Sequence, residues 1–191
     1  MNLDKFTWLN EPPRFSVVGN EVSVETGKET DFWRETFYKF WRDSGHFYCT
    51  RIEGDFTAEV TVRGEYEALY DQAGLMVRLS ESHWIKAGIE YTDGERYFSV
   101  VVTNDTSDWS LTAIPVAVEG VRLRITKHRE AVRVQYLDIT DSRWKPVRLA
   151  YFPPTTSVDV GLTCCSPQRE GFKVVFRDLN IGPAIDRDLH A

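Results

Sequence analysis

Polar and apolar residues alternate along most of the chain. In Asp55–Val62, Phe56, Ala58, Val60 and Val62 fall on one face, and Asp55, Thr57, Glu59 and Thr61 on the other. That period of two is the signature of a half-buried strand. It recurs in Trp84–Glu90, where Ile85, Ala87 and Ile89 face the core, and again in Val121–Thr126 and Ala131–Tyr136. Turn signals separate these runs: Gly19-Asn20, Asp93-Gly94, Glu119-Gly120, His128-Arg129-Glu130, Pro153-Pro154 and Gly171. About a dozen short strands at this spacing predict an all-β fold. Their apolar faces need a second layer, which makes the fold a two-sheet antiparallel sandwich. Asp31–Trp41 breaks the alternation. Phe32, Trp33, Phe37, Phe40 and Trp41 crowd there, and the segment reads as a short helix or a bulky loop. One domain is expected over residues 1–183, with a polar tail over 184–191.

Composition narrows this picture. A chain of 191 residues can bury a substantial core without disulfides. Aromatic residues reach 13%, with six Trp, so some rings are expected in a groove or on the surface. The formal net charge of −6 argues against non-specific binding to nucleic acid and against attraction to an anionic membrane. No leader-like apolar segment follows Met1, and no apolar run is long enough for a membrane helix. The three cysteines Cys49, Cys164 and Cys165 make a poor disulfide framework and predict a reducing, cytoplasmic setting.

Four segments carry a resemblance: Thr30–Arg34, Asp43–Tyr48, Asp71–Arg78 and Trp84–Glu90. Together they resemble an uncharacterised family of concanavalin A-like lectin/glucanase-fold proteins that includes the fungal "regulation of enolase" protein. Asp71-Gln72-Ala73-Gly74 and Trp84-Ile85-Lys86-Ala87-Gly88-Ile89-Glu90 are the most specific parts. The resemblance implies a jelly roll whose curved sheet offers a concave polar face. It implies no defined activity.

The candidate chemistry lies on that polar face. With Ile85, Ala87 and Ile89 inward, Trp84, Lys86 and Glu90 share the opposite side. Arg78 joins them from the preceding strand and Ser99 from the following one. His46 and Tyr48 are expected from an earlier strand, Gln72 at a strand entrance and Trp109 near a bend. These nine residues form the candidate ligand-binding set. Bidentate hydrogen bonds from charged groups beside a stacking indole suit sugar hydroxyls. The competing reading makes Arg78, Lys86, Glu90 and Glu59 cross-strand ion pairs on a solvated face, each worth at most ~1 kcal/mol.

Glycoside hydrolysis needs two carboxyl groups about 5–5.5 or 6.5–9.5 Å apart. The candidate pair is Glu59 with Glu90, meeting across strands. A nearby Arg78 or Lys86 would lower both pKa values, which works against a general acid. His46, His83, His128 and His190 show no metal-ligand spacing, and Asp105 with Asp108 is a weak calcium signal. No phosphate loop or dinucleotide motif occurs, so no cofactor is expected. The sequence therefore favours a non-catalytic module that binds a carbohydrate or other small polar molecule. A glycosidase using Glu59 and Glu90, and a regulatory module with a protein partner, are the alternatives.

Overall fold

The alternating segments become strands of two seven-stranded antiparallel sheets, packed face to face. The computed structural model describes residues 3–115 and 120–189. Glu119 of the expected turn, His190 and the last residue of the tail lie outside them. After a 3₁₀ turn at Leu3–Lys5 come β1 (Thr7–Leu9), β2 (Arg14–Val18), β3 (Glu21–Glu25), β4 (Phe32–Arg34), β5 (Trp41–Asp43), β6 (His46–Glu53), β7 (Phe56–Gly64) and β8 (Gln72–Ser80). They are followed by β9 (His83–Thr92), β10 (Glu95–Asn104), β11 (Thr106–Thr112), β12 (Val121–His128), β13 (Ala131–Asp138), β14 (Arg143–Tyr151), β15 (Ser157–Cys165) and β16 (Lys173–Pro183).

The first sheet has the order β1-β6-β15-β8-β9-β10-β11, and the second β14-β13-β12-β7-β16-β3-β2. Strands far apart in sequence are thus neighbours, as in a jelly roll. The space between the sheets is filled as alternation predicts. Ala58, Val60, Leu75, Val77, Ile85, Ile89, Phe98, Val100, Leu123, Ile125, Val160 and Phe176 all belong to one buried cluster. No helix among the described residues is long and apolar enough to cross a membrane.

The segment Asp31–Trp41 is neither helix nor loose loop. Its ends pair as a hairpin, with Phe32 opposite Asp43, Trp33 opposite Arg42 and Arg34 opposite Trp41. The hairpin lies on the outer face of the first sheet, the face turned away from the second sheet. That face was expected to be polar and solvated. Instead Phe32, Phe47, Cys49, Met76, Trp84, Val101 and Cys165 form a second buried cluster there.

Three glycines shape the same face. Gly74 and Gly88 are direct partners on β8 and β9. A Cβ at Gly74 would stand 2.0 Å from the Ala87 carbonyl oxygen, and one at Gly88 2.0 Å from that of Ala73. Gly45 is needed for a different reason: a Cβ there would come within 2.3 Å of the Phe32 ring and 2.7 Å of Cys165 Sγ.

Candidate functional site

The hairpin is seated by polar contacts around its apolar plug. Phe32 is fully buried, with its ring centroid 6.0 Å from that of Trp84. Lys86 Nζ donates to Asp31 Oδ1 at 3.1 Å and to the Phe32 carbonyl at 2.8 Å. Arg78 grips Asp43 with two bonds of 2.7 and 2.9 Å. On the far side, the Arg34 amide donates to Ser107 Oγ at 2.9 Å and Arg34 Nε to the Asp105 carbonyl at 3.1 Å. Arg78 and Lys86 therefore do not pair across the sheet. They reach upward and hold the hairpin on it.

The hairpin covers only part of the face, and beside it a cavity of about 320 Å³ remains. Trp33, Tyr38, Phe40 and Arg42 of the hairpin segment form one wall. Gln72, Lys86, Glu90, Val101 and Trp109 form the floor and the opposite side. Tyr70, Pro167 and Gln168 complete the rim, with Glu29 and Asp31. The Tyr38 and Tyr70 hydroxyls meet at 3.0 Å and link the hairpin to the far rim. Tyr70 also packs edge-on against Trp109, with centroids 6.3 Å apart.

Backbone strain gathers at these two rims. Glu35, Phe37, Lys39 and Tyr70 all have positive φ, between 57° and 67°. For bulky side chains that conformation is rare, and such strain collects at binding sites. Phe37 is 88% exposed and Trp41 63% exposed, so the hairpin presents two rings to solvent.

A second clamp fixes the far rim. Asp71 is fully buried and accepts hydrogen bonds from the Glu67 and Ala68 amides, both at 3.0 Å. Arg169 adds a 2.6 Å bond from Nη2 and a 3.0 Å bond from Nε to the same carboxylate. The Arg169 carbonyl in turn accepts the Glu29 amide at 3.1 Å. Tyr70 and Gln168 are thus sequence neighbours of one ionic knot, and Glu29 is hydrogen-bonded to it.

Electrostatically the floor is unusual. Glu90 is only 3% exposed. Burial pushes its carboxyl pKa up, against the opposing pull of hydrogen bonds from Ser99 and Trp109 and of the Lys86 ammonium. Burial works to lower the pKa of Lys86, but attraction to Asp31, with Cys165 and Glu90, leaves it raised. The Tyr70 hydroxyl, bonded to Tyr38, is pushed up to about 12.

The candidate set divides as follows. Gln72, Lys86, Glu90 and Trp109 meet at the cavity. Ser99 stands behind Glu90 as a donor. Arg78 and Trp84 lie on the expected face but beneath or beside the hairpin. His46 and Tyr48 do not belong with them. On β6 it is Phe47 and Cys49 that share the outer face, so the alternate residues His46 and Tyr48 turn the other way. Tyr48 packs in the inter-sheet core against Phe6 and Trp8. His46 is buried, with Nδ1 bonded to the Asn10 carbonyl at 2.6 Å and Nε2 accepting the Gly27 amide at 2.9 Å.

Glu59 cannot meet Glu90. It lies on β7 in the second sheet, bonded to Arg122 at 3.0 Å on that sheet's outer face. The carboxylate of Asp108 is held by Arg148 at 2.8 Å, and Asp105 contributes its carbonyl to Arg34. No group of three or more His, Cys, Asp or Glu poised for a metal occurs among the described residues. Asp31, Trp33, Tyr38, Phe40, Arg42 and Tyr70 were not among the candidates. For Asp31, Trp33, Tyr38 and Phe40 the one signal was the crowding of aromatic residues where strand alternation stops; Arg42 and Tyr70 had none.

The chain is 44% identical over 188 residues to "Regulation of enolase protein 1" of Saccharomyces cerevisiae, covering 98% of this chain and 94% of that one. A crystal structure of a functionally unknown protein from Saccharomyces cerevisiae superposes with a TM-score of 0.92 at 43% identity, covering 97% and 100% of the two chains. Xylan beta-1,4-xylosidase from Bacillus halodurans C-125 shares the fold at a TM-score of 0.60 and 16% identity, over 82% of this chain and 32% of that one. Residues 8–184 match the family described as "Protein of unknown function (DUF1349)", and the chain belongs to that family.

Proposed function

We propose that the chain is a non-catalytic binding module, and that its ligand is a carbohydrate or another small polar molecule held beside the aromatic hairpin. The observation that carries this reading is the cavity of about 320 Å³, walled by Trp33, Tyr38, Phe40 and Trp109 over a polar floor of Gln72, Lys86 and Glu90. Its size falls at the lower end of ordinary small-molecule sites, ~300–1,000 Å³. Flat rings stack on the apolar faces of a sugar, while buried polar groups receive its hydroxyls. The three free, buried thiols fit a reducing compartment, the cytoplasm. Thermal-shift screening against mono- and oligosaccharides tests the reading, with Trp109→Ala as the control. A saccharide that raises the melting temperature of the wild type and not of Trp109→Ala is expected. No response to any saccharide or polar metabolite would remove the proposal.

A second reading, a regulatory module with a protein partner, draws on the name of the Saccharomyces cerevisiae relative and on the exposed Phe37 and Trp41. Assaying enolase with and without the purified chain addresses it. Unchanged enolase activity together with no co-elution would count against it.

A further inference from the structure

The charges and rings of the cavity point to a narrower ligand class than its size does. Asp31, Lys86 and Glu90 form one electrostatic cluster, with the Lys86 ammonium 3.1 Å from Asp31 and close enough to Glu90 for mutual attraction. One ammonium between two carboxylates leaves one negative charge without a counter-charge. Ser99 and Trp109 give Glu90 hydrogen bonds but no positive charge. At the rim, Glu29 lies 3.9 Å from the Lys28 ammonium, and the Arg42 guanidinium is stacked 5.2 Å over Phe40. Around the floor stand Trp33, Tyr38, Tyr70 and Trp109. Aromatic faces carry negative quadrupole potential and attract cations, more strongly where water is excluded. Lys86 does not occupy that place, because its ammonium is turned into the root of the hairpin, toward Asp31 and the Phe32 carbonyl.

We propose that the ligand is an amino sugar, its protonated amine set against Glu90 and its ring stacked between Trp109 and the hairpin aromatics. The proposal rests on the reading of the cavity as a saccharide site. Burial favours the neutral Glu90 carboxyl, whereas an ammonium set against it favours the carboxylate. Binding therefore lowers the Glu90 pKa, and any proton the carboxyl holds passes to solvent: Glu90–COOH and the ligand's ammonium become a carboxylate–ammonium pair and one free proton. The other titratable groups facing Glu90 are Lys86, Asp31, Tyr70 and Cys165. Tyr70 and Cys165 are both pushed up to about 12 and stay neutral, and Lys86 stays charged.

Isothermal titration calorimetry on paired sugars tests this: glucosamine with glucose, galactosamine with galactose, mannosamine with mannose. Each pair is run at about pH 6.5, where an amine is protonated, in two buffers of different ionisation enthalpy. At least one amino sugar is expected to bind about tenfold or more tighter than its parent hexose, and the two buffers read any proton it displaces from Glu90. Its N-acetylated form, which lacks the charge, is expected to bind like the hexose. Glu90→Gln should abolish the preference, so that both members of the pair bind that variant equally, and Trp109→Ala should weaken both members of the pair alike. Equal binding of the two sugars, or a preference that survives acetylation or Glu90→Gln, overturns the amine assignment and leaves the saccharide site standing. If neither member of any pair binds, the saccharide site itself falls and the assignment falls with it.

Discussion

Lys86 and Asp31 join the sheet to its hairpin through an ion pair of 3.1 Å in which both side chains are largely buried. Removing one partner of a buried pair leaves the other charge stranded, which costs about 3 kcal/mol at the low end of the measured range. Lys86→Met should therefore lower the free energy of urea unfolding by about that amount, chiefly by freeing Asp31 and the Phe32 carbonyl. A loss under about 1 kcal/mol would mean that the hairpin does not depend on this anchor.

Arg78 and Asp43 supply the second anchor, with the two parallel bonds that a guanidinium makes to a carboxylate. A double-mutant cycle on Arg78→Ala and Asp43→Ala should give a coupling energy of about 1–2 kcal/mol. Strictly additive effects would show that Arg78 does not hold the hairpin.

Where Gly74 meets Gly88 there is no room for a methyl group. Gly74→Ala forces a Cβ to within 2.0 Å of the Ala87 carbonyl oxygen and should destabilise the sandwich by about 2 kcal/mol. Nothing lies within 4 Å of a Cβ at Gly182, so Gly182→Ala is the neutral control. Chemical denaturation of both variants compares them. Equal effects at the two positions would contradict the close approach.

The acid side of the stability profile should carry a histidine signature. Burial lowers the pKa of His46 below its ordinary 6.5, while its bond to the Asn10 carbonyl raises it. A histidine whose folded-state pKa is depressed binds its proton more readily when unfolded. Its contribution is thus complete above the ordinary value of 6.5 and is lost as pH falls through the folded one. Nε2 must then take a proton and give up the Gly27 amide. Unfolding free energies measured between neutral and mildly acidic pH should fall in the wild type and fall less in His46→Gln. Parallel curves would remove His46 from the effect.

Much of this architecture is written in the alternation itself. The inward residues of β7, β9, β12 and β13 follow from period two, because one side of each strand must be apolar. The outer face of the first sheet was legible only in part. Lys86, Glu90 and Ser99 were placed on it correctly by the same alternation, since Lys86 and Glu90 share a strand with Trp84 and Ser99 pairs with Gly88 of that strand. What the pattern could not supply was the occupant of that face. Phe32 plugs it from a segment more than 50 residues earlier, a contact that no local period encodes. His46 and Tyr48 were assigned to the wrong side because β6 has apolar residues on both faces. Phe47 faces the hairpin and Tyr48 faces the other sheet, so alternation gave no direction there. Glu59 was paired with Glu90 for want of strand order. Only the jelly-roll connection puts β7 in the opposite sheet.

The cavity itself is tested most directly through its tryptophans. Trp33 and Trp109 line it, whereas Trp8 packs at the inter-sheet core and Trp144 lies under Arg124 on the second sheet. In an isotope-labelled sample titrated with the saccharide panel, the indole N–H resonances of Trp33 and Trp109 should move with at least one sugar. Those of Trp8 and Trp144 should stay in place. Resonances that stay fixed throughout the panel, or shifts confined to Trp8 and Trp144, would contradict a ligand site beside the hairpin.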